Sequence, residues 1–210
     1  MGRYTGPSCR LCRREGIKLM LKGARCETAK CPMERQWRSN PPGMHSWRRG
    51  RGSEYRLRLR EKQKVKRYYG VFEKQFMKYF HAAERSKGDT GAALLSILER
   101  RLDNVVYKLG FAPSRAAARQ TIAHGHVHVR DRRTNKPGYL VEVGDRISIK
   151  NSDKSKKMIQ ARLEELGEPH VQNWLRLDLT KMSADVVSKP TRDDVMIPVE
   201  EQRIVELCSQ

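Results

Sequence analysis

Between Gly110 and Gly125 the apolar pattern of this chain changes period, and that change sets its fold class. Before it, Leu94, Leu98, Leu102, Val105, Val106 and Leu109 recur every three or four residues, the stripe of one amphipathic helix ending at Gly110. After it, His126-Val127-His128-Val129-Arg130 and Arg146-Ile147-Ser148-Ile149-Lys150 alternate polar with apolar, as half-buried strands do. Pro113-Ser114 predicts a helix start, with Ser114 as cap, and Gly144-Asp145 a turn before the second strand. Helices followed by a short, mostly antiparallel sheet make an α+β chain.

The flanking segments are mainly helical. Phe72, Phe76, Tyr79 and Phe80 fall on one helical face. In Glu54–Tyr69 the alternation of Arg56-Leu57-Arg58-Leu59-Arg60 mimics a strand, but the Glu, Lys and Gln content favours helix. Trp37 to Ser53, rich in Pro, Gly and Arg, reads as an irregular basic loop. Lys154 to Leu166 reads as helix, and the end from Trp174 as short apolar runs between charged loops. No apolar run of about 18 residues exists, so no span of a membrane is expected.

Charge decides what such a chain can partner. Its net charge is +20, a self-repelling surplus that calls for a polyanion. The surplus is uneven: residues 1–90 carry 24 basic and 8 acidic side chains, and residues 151–210 carry 9 and 11. The cationic footprint therefore lies in the first two thirds.

Four cysteines, Cys9, Cys12, Cys26 and Cys31, lie in two close pairs within that footprint. The spacing predicts a closed structural Zn²⁺ site, with an iron–sulfur cluster as the alternative and unligated thiols as the plain one. The N-terminus lacks the apolar core of a secretory signal, so a cytosolic, cytoplasmic protein with reduced thiols is expected.

Arg115 and Arg119 stand four apart on one predicted helix face, a spacing suited to gripping successive phosphates. His124, His126 and His128 follow near a helix-to-strand turn, then Arg132 and Arg133. The bland alternative for each is a solvated helix face or strand edge; the chain-wide charge favours RNA. The other candidate RNA contacts are Arg48, Arg49 and Arg51 in the basic loop, Arg56, Arg58, Arg60, Lys62, Lys64, Lys66, Arg67 and Tyr69 in the first long helix, and Lys74. Trp37, Trp47, Tyr68 and Tyr69 are candidates for stacking on unpaired bases. No nucleophile–base, P-loop or HExxH arrangement appears, which disfavours an RNA-modifying enzyme. A DNA-reading zinc finger is disfavoured by the lack of a recognition helix with paired histidines.

The run Glu99-Arg100-Arg101-Leu102-Asp103-Asn104-Val105-Val106-Tyr107, with Ser114-Arg115-x3-Arg119-Gln120, His124-Gly125-His126 and Gly144-Asp145, resembles a small RNA-binding module. The module is named after the fourth protein of the bacterial small ribosomal subunit. Met1-Gly2-Arg3-Tyr4-Thr5-Gly6-Pro7, Arg58-Leu59-Arg60-Glu61-Lys62-Gln63-Lys64 and Tyr69-Gly70-Val71 extend the resemblance to that ribosomal protein family over nearly the whole chain.

The resemblance implies a primary binder of small-subunit (16S) rRNA that nucleates 5′-domain assembly. It also implies a place near the mRNA entry path, contact with a neighbouring small-subunit protein and a part in translational accuracy. Its architecture would divide the chain into a cysteine knuckle (1–34), a basic loop and helical domain (35–90, joined by 170–210), an inserted αβ module (91–165) and an acidic C-terminal segment (166–210). Three departures stand out: Arg130-Asp131 where the family hairpin carries Asn-Gly, a segment 36–52 longer and richer in Trp and Arg than the usual Pro-Pro-Gly stretch, and Cys208 where an aromatic is usual.

Overall fold

The computed structural model describes residues 2, 4–44, 52–167 and 171–209. Among these, eight α-helices run as α1 (Ser8–Glu15), α2 (Glu54–Tyr69), α3 (Glu73–Glu84), α4 (Thr90–Glu99), α5 (Leu102–Lys108), α6 (Arg115–Ala123), α7 (Asp153–Leu166) and α8 (Glu201–Cys208). The strands are β1 (Val127–Val129), β2 (Arg132–Arg133), β3 (Arg146–Ile149), β4 (Leu175–Asp178) and β5 (Ser183–Val186). They divide into two compact units, Met1–Leu94 with Met196–Gln210, and Leu95–Val195.

In the first unit, α2 starts where the Ser53 side chain accepts a hydrogen bond from the Arg56 N–H at 3.3 Å. It stops at Gly70, whose φ of 64° lets the N–H groups of Gly70 and Val71 close on the Arg67 and Lys66 carbonyls. That closure turns the chain into α3, which buries Phe76, Tyr79, Phe80 and Ala83. Each large apolar side chain buried this way contributes roughly 1.5–3 kcal/mol. Phe72, expected on the same stripe, instead precedes the helix and is exposed. α8 packs along α2, with Arg58 paired to Glu206 at 2.8 Å.

The second unit is built on an antiparallel sheet ordered β2-β1-β3-β5-β4. Val127 and Val129 of β1 face inward and pair with Ile149 and Ile147 of β3. They pack with Leu102, Val105, Val106 and Leu109, with Ile122 of α6, Ile159 of α7 and Trp174. The β1–β2 hairpin turns on Arg130 (φ 50°) and Asp131 (φ 60°), both left-handed. Two positive φ values in a two-residue loop match the right-handed strand twist, the geometry Asn-Gly usually supplies. Here Arg130 is anchored by Glu142 at 3.0 Å and by Asp145.

Two expectations are corrected. The stripe from Leu94 to Leu109 is two helices, broken at Arg100-Arg101. There the Leu102 N–H bonds the Tyr139 carbonyl (2.8 Å) and the Val141 N–H bonds the Arg100 carbonyl (2.9 Å), so a strand-like bridge replaces a helical turn. The acidic end also contributes to the sheet. β5 pairs with β3 through Ile147 and Ala184, so residues expected to lie apart from the αβ module complete its core.

Candidate nucleic-acid interface

Most cations on α2 are held by carboxylates. Arg60 and Arg67 converge on Glu15, whose side chain is fully buried, Arg60 at 3.3 Å. Lys62 and Lys66, one turn apart, both reach Glu73 at the start of α3, Lys62 at 2.5 Å. Burial pushes the Glu73 carboxyl up, but the hydrogen bonds from Lys62 and Lys66 outweigh it and hold the group below its ordinary range. Lys64 pairs with Glu61 at 2.5 Å and also donates to the Pro198 carbonyl.

Among the described residues of the first unit that were expected to meet RNA, Arg56 and Lys74 are the exposed ones. Tyr69 is 2 % exposed and lies edge-on to the buried Tyr68, so neither ring is presented as a stacking surface. The sequence patterns did not single out Arg10, Lys22, Arg25, Lys30 and Arg38, all of which are exposed. Their charge is plain in the sequence, but all except Arg38 lie among the cysteines, whose spacing carries the stronger signal. Arg48, Arg49, Arg51 and Trp47 lie outside the described residues.

In the second unit the expected arginine pair is largely internal. Ser114 caps α6 by accepting from the Ala117 N–H at 3.3 Å. Arg115 is 7 % exposed, donates from Nε to Asn104 Oδ1 at 2.8 Å and lies over the Tyr107 ring at 4.5 Å. Arg119, half-buried, pairs with Asp103 at 3.5 Å. Asp103 also accepts from Arg101 at 3.1 and 2.5 Å. Asn104 donates to Glu99 Oε2 at 2.6 Å, and Glu99 pairs with Lys108 at 2.5 Å. Alternating signs link these buried groups into one network, and removing one member would strand another. Arg115, expected to grip phosphate, braces the fold here through an Nε–H that is turned into the protein.

What this unit offers to solvent lies beside the network. His124, Arg132 and Arg133 are exposed, while His126 and His128 are half-buried. His128 sits opposite Arg133 across the β1–β2 ladder, and the rings of His124 and His126 are 6.2 Å apart. The Arg133 guanidinium lies so close over Gly125 (φ 76°) that a Cβ there would collide with it. His126 Nδ1 shares a hydrogen bond with Ser155 Oγ at 2.9 Å. Burial, then the charge of His124, Arg162, Lys150 and Arg133, pushes the His126 imidazole below its ordinary value. A patch of this sign favours an anion.

The Zn²⁺ site expected at Cys9, Cys12, Cys26 and Cys31 is not supported, nor is its iron–sulfur alternative. The four residues line one small pocket with Leu21, Pro32 and Met33. Yet among the described residues no three His, Cys, Asp or Glu side chains form a group that would hold a metal ion. Burial raises the Cys12 thiol above its ordinary value, and the Lys22 N–H donates to Cys26 Sγ at 3.4 Å. A buried cysteine packs as a small apolar group.

Comparison with known proteins agrees with this architecture. Residues 3–99 match the ribosomal protein S4/S9 N-terminal domain, and residues 100–147 match the S4 domain. The chain is 54% identical over 210 residues to small ribosomal subunit protein uS4 of Halothermothrix orenii, covering 100% of both chains. It is 50% identical over 210 residues to protein uS4A of Symbiobacterium thermophilum and 49% identical over 211 residues to protein uS4 of Thermus thermophilus, again with 100% of each covered. With both units accounted for and the likeness running the full length, the chain belongs to the uS4 family of small ribosomal subunit proteins.

Proposed function

We propose that this protein is a structural constituent of the small ribosomal subunit that binds small-subunit rRNA, and not an enzyme. The observation that carries the reading is full-length likeness to uS4 proteins in a chain of net charge +20. Two cationic surfaces, one on each unit, are the contact regions. Arg10, Lys22, Arg25, Arg56 and Lys74 serve the first, and His124, His128, Arg132 and Arg133 the second.

Lys and Arg displace condensed counterions from closely spaced phosphates. The A-form groove hides base edges, so folded RNA is read by shape more than by sequence. The buried network around Asp103 and Asn104 ties α5 to α6, so the charges beside it meet phosphates on a braced scaffold. On this reading the protein binds early, nucleates the 5′ domain and lies by the mRNA entry path of a cytoplasmic, bacterial-type ribosome. There it touches a neighbouring small-subunit protein and influences decoding accuracy.

The test is sedimentation of the tagged full chain from lysate, with filter binding to purified small-subunit rRNA over a salt series. Stoichiometric comigration with small subunits and a steep salt dependence are expected. A chain that stays at the top of the gradient while subunits assemble would overturn the proposal.

A further inference from the structure

Trp37 belongs to a single 3-10 turn, Gln36–Arg38, and its side chain is 68 % exposed. No other Trp, Tyr or Phe among the described residues is as open to water. The Arg38 guanidinium sits 4.2 Å from the ring centroid, and beside it opens a cleft of about 760 Å³. Arg10 and Arg13 of α1 line the cleft together with Pro41-Pro42. That loop is tied to α1, because Arg13 and Arg14 donate to the Asn40 and Pro42 carbonyls at 3.5 and 3.4 Å. None of the described residues lining the cleft is acidic.

An exposed indole with Arg38 over one face, Arg10 and Arg13 lining the same cleft and prolines that lose little entropy on ordering form a platform for a planar, negatively tethered ligand. The cleft volume falls within the range of sites for small planar ligands. We infer that this cleft takes one unpaired nucleotide of the bound RNA, its base stacked on Trp37 and its phosphates on Arg10 and Arg13. This rests on the rRNA-binding reading and deepens it: the first unit would then hold a flipped-out base as well as duplex backbone.

The test uses the full chain as wild type, Trp37→Ala and Trp37→Phe, titrated with a short oligoadenylate and with small-subunit rRNA over a salt series. Trp37→Ala is expected to weaken oligoadenylate binding roughly ten-fold, within the range of a single base–aromatic stack, and Trp37→Phe to restore most of it. The salt slope should be the same in all three, because every cation that meets a phosphate is still present. If Trp37→Ala binds oligoadenylate as tightly as wild type while both still bind rRNA with a steep salt slope, the stacking site is refuted and the rRNA reading stands. If the wild type itself fails to bind rRNA, the reading falls, and the site with it.

Discussion

Arg115 reaches back along the chain to Asn104, its Nε 2.8 Å from the amide oxygen, and so joins the start of α6 to α5. Through Asn104 the link continues to Glu99, and through the neighbouring Asp103 to Arg101 and Arg119. A residue of phosphate-binding type has been turned to internal use. The surface that meets solvent is left to its neighbours.

Arg115→Ala is therefore expected to destabilise the second unit by about 1–3 kcal/mol, since it leaves the buried Asn104 oxygen without its donor and removes the packing over Tyr107. Urea unfolding of the full chain measures it. A loss below about 0.5 kcal/mol would show that Arg115 does not brace the fold.

Arg132→Ala with Arg133→Ala should do the reverse. Both side chains are exposed, so the unfolding midpoint should stay near wild type. Affinity for rRNA should drop, and the slope of log affinity against log salt should become shallower by about two, one for each phosphate that is no longer neutralised. Filter binding over a salt series reads both effects, and an unaltered slope would remove these residues from the interface.

Glu73 predicts a pH effect of defined sign. Its folded-state value is lowered from the ordinary 4.5, so the stability it confers is present above that value and is lost as pH falls through the folded one. Glu73→Gln should flatten the acid side of the stability profile and release Lys62 and Lys66. Urea midpoints measured from neutrality down through the ordinary value of 4.5 check this; parallel curves for the two proteins would count against the α2–α3 anchor.

Asp131→Gly should stabilise the β1–β2 hairpin by roughly 0.5–1 kcal/mol, because glycine relieves the left-handed backbone at φ 60°. Gly125→Ala should destabilise it, since its φ is 76° and the added Cβ would meet Arg133. Thermal unfolding of the two variants should move in opposite directions, and a shared direction would contradict the turn geometry.

The helices and strands with local signals were legible from residues alone. Ser114 caps, Gly70 closes, and Val127 with Val129 alternates, each acting within a few residues. The break at Arg100-Arg101 had no such signal, because Leu, Glu and Arg there favour helix. It forms only when the Tyr139–Val141 segment arrives to supply the backbone partners. β4 and β5 were equally hidden, although Leu175-Arg176-Leu177-Asp178 alternates, since a short strand gains stability only against the strand it pairs with.

By itself the sequence determined the α+β class, the polyanionic character of the partner and the family, because charge, periodicity and motif order are properties of the chain that survive any arrangement in space. Only the tertiary structure decided which cations remain available. Arg60, Lys62, Lys66, Arg67 and Arg115 look the same in the sequence as Arg56 and Arg132. Their difference lies in whether folding brings Glu15, Glu73 or Asn104 within hydrogen-bonding reach, and such contacts are set by how remote segments pack.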